Sequence, residues 1–163
     1  MSEAKAEIQN KAETFPRLGE IGLSNFAPYL MNRIMGRYNA NLRHEMGRLG
    51  LTTPKMRSLA VLSVIDSLQI SELAVFAVVE QSTLSRALDQ LTNDGLVRRE
   101  TDPSDSRVTR VAITEAGRTT FEHMWPAMAA AYSQMFRGIP DAERRTFVAT
   151  LQKMLGNIRQ HDF

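Results

Sequence analysis

Residues 71–117 read SELAVFAVVEQSTLSRALDQLTNDGLVRRETDPSDSRVTRVAITEAG, and the changes of period along this stretch decide the fold. A helix follows Ser71. A second runs from about Gln81 to Asn93, with Leu84, Leu88 and Leu91 on one face and Asp94-Gly95 as its stop. Helical spacing then gives way to alternation. Leu96, Val97, Arg98, Arg99 and Glu100 lead into the turn-rich Asp102-Pro103-Ser104-Asp105-Ser106, and Val108, Thr109, Arg110, Val111, Ala112 and Ile113 follow. This predicts two short strands joined by a polar loop, after which Thr114 begins a new helix. Helix, tight turn, helix, hairpin and helix is the order in which a winged helix-turn-helix is assembled. Such modules lay the second helix of the pair in the DNA major groove and bring the hairpin loop to the neighbouring backbone or minor groove.

The chemistry of the second helix fits that placement. With its leucines facing a core, Ser82, Thr83, Ser85, Arg86 and Gln90 are left for solvent or DNA. Short hydroxyl side chains allow close approach and donate to phosphates or base edges, and Arg86 can donate two hydrogen bonds to guanine. The plainer reading is an amphipathic helix whose first turn is rich in Ser and Thr. The hairpin that follows favours the nucleic-acid reading.

Outward from this stretch the chain is helical. Leu30, Ile34, Tyr38, Leu42, Met46 and Leu49 recur every three or four residues, which predicts one long helix over 25–49. Gly50 closes it, and Thr52 or Thr53, followed by Pro54, begins a short apolar helix to about Ile65. Downstream, Phe121, Met124, Trp125, Met128, Tyr132, Met135 and Phe136 form a broad stripe through which Pro126 introduces an expected kink. A last helix after Pro140 carries Phe147, Leu151, Met154, Leu155 and Ile158 on one face. Residues 1–23 read as an arm, in which Pro16, Gly19 and Gly22 interrupt a sparse apolar set of Phe15, Leu18, Ile21 and Leu23.

The 163 residues carry a formal charge of +2, with 43% hydrophobic, 7% aromatic and 23% charged content, near the averages for globular proteins. Residues 33–57 are locally basic, with Arg33, Arg37, Arg43, Arg48, Lys55 and Arg57 against Glu45 alone. Such a block fits either a polyanion partner or an ordinary solvated helix face. No cysteine is present, which excludes disulfides, thiolate chemistry and thiol-based sensing. No stretch approaches the length of a membrane-spanning helix, so no membrane partner and a cytoplasmic location are expected.

The sequence resembles the MarR family of transcriptional regulators over about residues 24–160. The resemblance is most specific in Leu96-Val97-Arg98-Arg99, in Asp102-Pro103-Ser104-Asp105-Ser106-Arg107, and in Ile113-Thr114-Glu115-Ala116-Gly117. These are similar to the family's strand, its Asp-x-Arg wing and the Leu-Thr-x-x-Gly run that opens its next helix. Upstream, Ser71-Glu72-Leu73-Ala74 and Gln81-Ser82-Thr83-Leu84-Ser85-Arg86 match its two DNA-binding helices. The chain departs from the pattern in the turn Phe76-Ala77-Val78-Val79-Glu80, which is apolar and lacks the usual Gly, and in Ile113, which stands in place of Leu.

The resemblance implies a homodimer that binds double-stranded DNA, with two recognition helices in successive major grooves. Arg107 matches the wing arginine and Asp105 the acid that orients it. Independently, a guanidinium at a hairpin tip suits a narrow groove of enhanced negative potential. The family also implies a small aromatic ligand between lobes, and Met35, Tyr38, Leu59 and Trp125 are the candidates for that pocket. Core packing is the competing reading for all four.

Enzymatic constellations fail. His44-Glu45-Met46-Gly47-Arg48 begins like a zinc-protease motif but places Arg48 where the second ligand belongs, and His123 and His161 lie on other elements. No nucleophile elbow, phosphate-binding loop or dinucleotide fingerprint occurs, so no catalytic residue, metal or cofactor is expected.

The expected fold is mainly α, a winged helix (α+β) with a helical dimerisation lobe. After the arm at 1–23, one domain at 24–160 would comprise a DNA-binding lobe at 52–113 and a dimerisation lobe at 24–50 and 114–160. The expected function is a sequence-specific, ligand-responsive repressor. The alternative is a helical small-molecule-binding or interaction protein that has lost DNA binding.

Overall fold

Gly50 and Gly95, both with positive φ (66° and 73°), end the two helices at the positions expected of them. The computed structural model describes residues 16–161, so Phe15 and the rest of the arm to its N-terminal side lie outside the described residues. The described residues fall into two compact units that divide between Ala40 and Asn41. What is described of the arm is more ordered than its Pro and Gly content predicts. Leu18–Ile21 make a single helical turn, α1, and Leu23–Asn25 a 3-10 turn. The elements that follow are α2 (Ala27–Arg48), α3 (Thr53–Val64), β1 (Ser67–Gln69), α4 (Ile70–Ala77), α5 (Gln81–Asn93), β2 (Val97–Thr101), β3 (Thr109–Ile113), α6 (Glu115–Met135) and α7 (Asp141–Ile158).

The sheet has three strands where the sequence predicts two, in the order β1-β3-β2, with both pairings antiparallel. Strand β1 places one side chain inward, Leu68, opposite Val111. On the other edge Val97 faces Ile113 and Arg99 faces Val111. The core of the second unit is built from one face of each helix, with Leu59 and Leu62 of α3, Leu73 of α4 and Leu84, Leu88 and Leu91 of α5 removed from solvent. From α2, Leu42 and Met46 join it, and from α6, Met124. Helix α3 is tied to the far end of α5 by the buried Lys55, whose ammonium lies 3.0 Å from Asp94 Oδ2.

Two backbone features fix the ends of the segment from α4 to α6. Between α4 and α5 the chain turns through Val78, whose φ of 52° and ψ of 54° are left-handed. A β-branched residue there costs about 1–2 kcal/mol relative to a right-handed backbone. The turn is closed by Val79 N–H donating to Ala74 O at 3.1 Å, and Arg57 Nη1 of α3 holds the Val78 carbonyl at 3.1 Å.

At the other end, Thr114 caps α6. Its Oγ1 accepts from Gly117 N–H at 3.1 Å and donates to Gly95 O at 2.7 Å, while its own N–H donates to Leu96 O at 3.1 Å. Helix α6 thereby starts against the backbone of Gly95 and Leu96, just before β2. A Cβ on Gly117 would lie 2.1 Å from Leu96 O. This close approach is the physical reason for glycine in the Thr-x-x-Gly run.

Helix α6 continues through Pro126 to Met135, although Pro126 cannot donate to the carbonyl one turn back. Helix α7 has no buried residue, and Phe136, just after α6, meets its Phe147, ring centroids 6.1 Å apart. Its apolar face is open: Leu155 is 62% exposed, and Phe147, Met154 and Ile158 are exposed as well.

Candidate nucleic-acid interface

Burying Leu84, Ala87, Leu88 and Leu91 turns the opposite side of α5 outward, so Ser82, Thr83, Ser85, Arg86 and Gln90 are all exposed. The residue before the helix, Glu80, makes no side-chain cap bond, which leaves first-turn N–H groups pointing out of the helix start. Asp89 sits on the same exposed side and is occupied, pairing with Arg99 Nη2 of β2 at 2.6 Å. That pair ties α5 to β2.

In the wing loop, Asp105 and Arg107 form a two-pronged ion pair. Arg107 Nε lies 3.1 Å from Oδ1 and Nη2 3.2 Å from Oδ2, and the Arg107 N–H also donates to Oδ1 at 3.0 Å. The Arg107 side chain is 88% exposed, so the carboxylate orients the guanidinium without covering it. The Arg107 side chain, and then its N–H, hold the Asp105 carboxyl below its usual pKa, against burial and the charge of Asp102.

The loop is itself built around a residue that sequence reading passed over. Asp102 is buried and accepts from Ser104 Oγ at 2.5 Å, Ser104 N–H at 2.8 Å and Asp105 N–H at 3.3 Å. Its other oxygen takes Arg110 Nη1 at 3.2 Å, and Arg110 reaches from β3 to Ser67 Oγ and Ser67 O of β1 at 3.1 and 2.8 Å. The wing loop is thus anchored through Asp102 and Arg110 to β1, next to the start of α4. The available signal was Asp-x-Ser, in which an Asp side chain caps the backbone two residues on.

These bonds, led by the Ser104 hydroxyl and then the Ser104 N–H, lower the Asp102 pKa from 3.8 to about 2. A carboxyl depressed in the folded state stabilises the fold fully above its unfolded pKa, and that contribution is lost as pH falls from about 4 through about 2. Asp102→Asn is therefore expected to reduce the loss of stability between about pH 5 and about pH 2.5. Urea midpoints at the two pH values would show this, and equal losses in parent and variant would contradict it.

The side chains of four of the six cations of the basic block at 33–57 have partners. Arg48 pairs with Glu45, Lys55 with Asp94, Arg57 with the Val78 carbonyl, and Arg33 Nη1 with Tyr29 Oη at 2.8 Å. Of the pocket candidates, Leu59 is fully buried in the second unit, and Trp125 is 56% exposed with its ring 6.4 Å from Phe121. In the first unit Met35 is exposed, while burial raises the pKa of the half-buried Tyr38 hydroxyl. Among the described residues no group of His, Asp or Glu is arranged to hold a metal ion. No described helix is long and apolar enough to cross a membrane.

A tight helical pair followed by a two-stranded wing, with the second helix polar outside and an arginine at the wing tip, defines a winged helix-turn-helix protein. The profile of the MarR family matches residues 51–109. A MarR-family transcriptional regulator from Silicibacter pomeroyi, known from its crystal structure, is 61% identical, with a TM-score of 0.86 over 91% of this chain and 100% of that one. The chain belongs to the MarR family of transcriptional regulators. It is also similar to the HTH-type transcriptional repressor IacR of Pseudomonas putida, 29% identical over 143 residues, which are 88% of this chain and 86% of IacR. Bordetella bronchiseptica BpsR, whose DNA binding is regulated by 6-hydroxynicotinic acid, is 25% identical with a TM-score of 0.67, over 78% of this chain and 96% of that one.

Proposed function

We propose that this regulator is a homodimeric repressor that reads DNA through α5 and the wing and is released by a small aromatic molecule. The observation that carries the DNA-binding reading is Arg107, exposed at the wing tip and held by Asp105 before DNA arrives. Serine and threonine at the start of α5 suit phosphate and base-edge contacts, and Arg86 and Gln90 suit base edges one and two turns further on. Repression is supported by the similarity to IacR, and ligand response by the similarity to BpsR. Release follows if the ligand prefers a conformation that DNA does not. Met35 and Trp125 keep exposed side chains, and Tyr38 a hydroxyl, of the kinds such a ligand would take, whereas Leu59 is buried in the core of the second unit.

In this reading residues 24–50 and 114–160 form the dimerisation lobe and 52–113 the DNA-binding lobe. The open apolar face of α7 supports a partner helix there, because a monomer would leave Leu155, Ile158 and Phe147 in water. Sedimentation at micromolar concentration is expected to give a dimer, and a folded monomer would contradict the assignment. The function itself is tested by selecting bound fragments from the source genome with the purified dimer. Near-palindromic sites should be recovered, with half-sites about one helical turn apart. Recovery of no common site would overturn the reading.

A further inference from the structure

Val78 holds a left-handed backbone that glycine adopts freely and a β-branched residue resists. Such strain persists where neighbouring bonds determine the conformation, and it concentrates at functional positions. Here the bonds are from Arg57 Nη1 to the Val78 carbonyl, from Val78 N–H to Val75 O, and from Val79 N–H to Ala74 O, all at 3.1 Å. All of them could be made equally well by glycine. The isopropyl group gives the folded chain nothing in return, since Val78 is 76% exposed.

The position is three residues before Gln81, the first residue of α5, so the strained side chain stands at the entrance to the recognition helix. Val75 and Phe76, just upstream, are partly exposed too. None of these three side chains carries a nitrogen or oxygen, so none can serve a phosphate. An apolar group beside a major-groove helix does have a receptor on B-DNA, the C5 methyl group of thymine.

We propose that Val78 is a specificity-determining residue that packs on the methyl group of one thymine in each half-site, at the edge of the major groove nearest the start of α5. This rests on the DNA-binding reading above.

The test uses a duplex selected from a random pool with the full-length protein. Each thymine is replaced in turn by deoxyuridine, which lacks only the methyl group, and affinity is measured by fluorescence anisotropy at fixed salt. The parent is expected to weaken about three- to fivefold at one thymine per half-site, the scale of one buried methyl group. Val78→Gly should lose sensitivity at that thymine alone, and Val78→Ile should keep it. Val78→Gly is compatible with this backbone, and its melting temperature verifies that the fold is kept. A Val78→Gly variant with the parent's deoxyuridine profile, or a parent indifferent to every replacement, overturns the assignment. In that case an apolar protein partner becomes the occupant of the patch. If no duplex is enriched at all, the DNA-binding reading falls first; if duplexes are enriched and the two profiles coincide, only the role of Val78 falls.

Discussion

Gly117→Ala is expected to destabilise the protein by about 3 kcal/mol, a loss typical of forced overlap in packed structure. The added methyl carbon would lie 2.1 Å from Leu96 O, 2.8 Å from Ile113 Cγ1 and 3.1 Å from Leu96 C. Two of these three atoms are backbone, so no side-chain rotation relieves the clash. The start of α6 must move away from Leu96, and the bonds that Thr114 makes to Gly95 O, to Leu96 O and from Gly117 N–H stretch with it. At an open helical site the same change is favourable by up to about 1 kcal/mol, because alanine has the higher helix propensity. Gly47 is such a site, with nothing within 4 Å of its added Cβ. Urea denaturation of Gly117→Ala and Gly47→Ala at one protomer concentration would separate the two. A Gly117→Ala variant as stable as Gly47→Ala would mean that α6 does not pack on the Leu96 backbone in this way.

Arg107→Ala is expected to weaken operator binding by about 1–3 kcal/mol per site, the scale of one good arginine contact. The fold should be spared, because the 88%-exposed side chain has Asp105 as its ion-pair partner. Asp105→Ala should cost less: the guanidinium keeps its charge and loses its orientation. Arg86→Ala should act differently again, relaxing base preference on the recognition helix more than it lowers affinity for duplex in general. Titration of each variant against one operator at fixed salt gives the ordering. An Arg107→Ala variant that binds as tightly as the parent, with unchanged salt dependence, would remove the wing from the interface.

Much of this architecture was legible in the sequence where pattern and punctuation agree. Helix α5 begins and ends where predicted because Leu84, Leu88 and Leu91 carry the helical period and Asp94-Gly95 stops it. Strand β1 was not legible, since three residues that place one side chain inward contain no period to read. The pairing of Asp105 with Arg107 could be anticipated from two-residue spacing across a tight loop. The link from Asp102 through Arg110 to Ser67 could not, because Ser67 and Arg110 are 43 positions apart and meet only through the register of β1 on β3. Composition alone does not show how the basic block is used: two of its six cations, Arg48 and Lys55, are paired with carboxylates, and Arg33 and Arg57 bond to the neutral Tyr29 hydroxyl and Val78 carbonyl.

The most direct test of a DNA-reading wing and helix is the affinity of the purified protein for a genomic site it selects, compared with an arbitrary duplex across a range of salt. The selected site is expected to bind at least about a thousandfold more tightly, and both affinities are expected to fall linearly with log salt as phosphate contacts release counterions. Equal affinity for the two duplexes, or binding that does not respond to salt, would contradict the account.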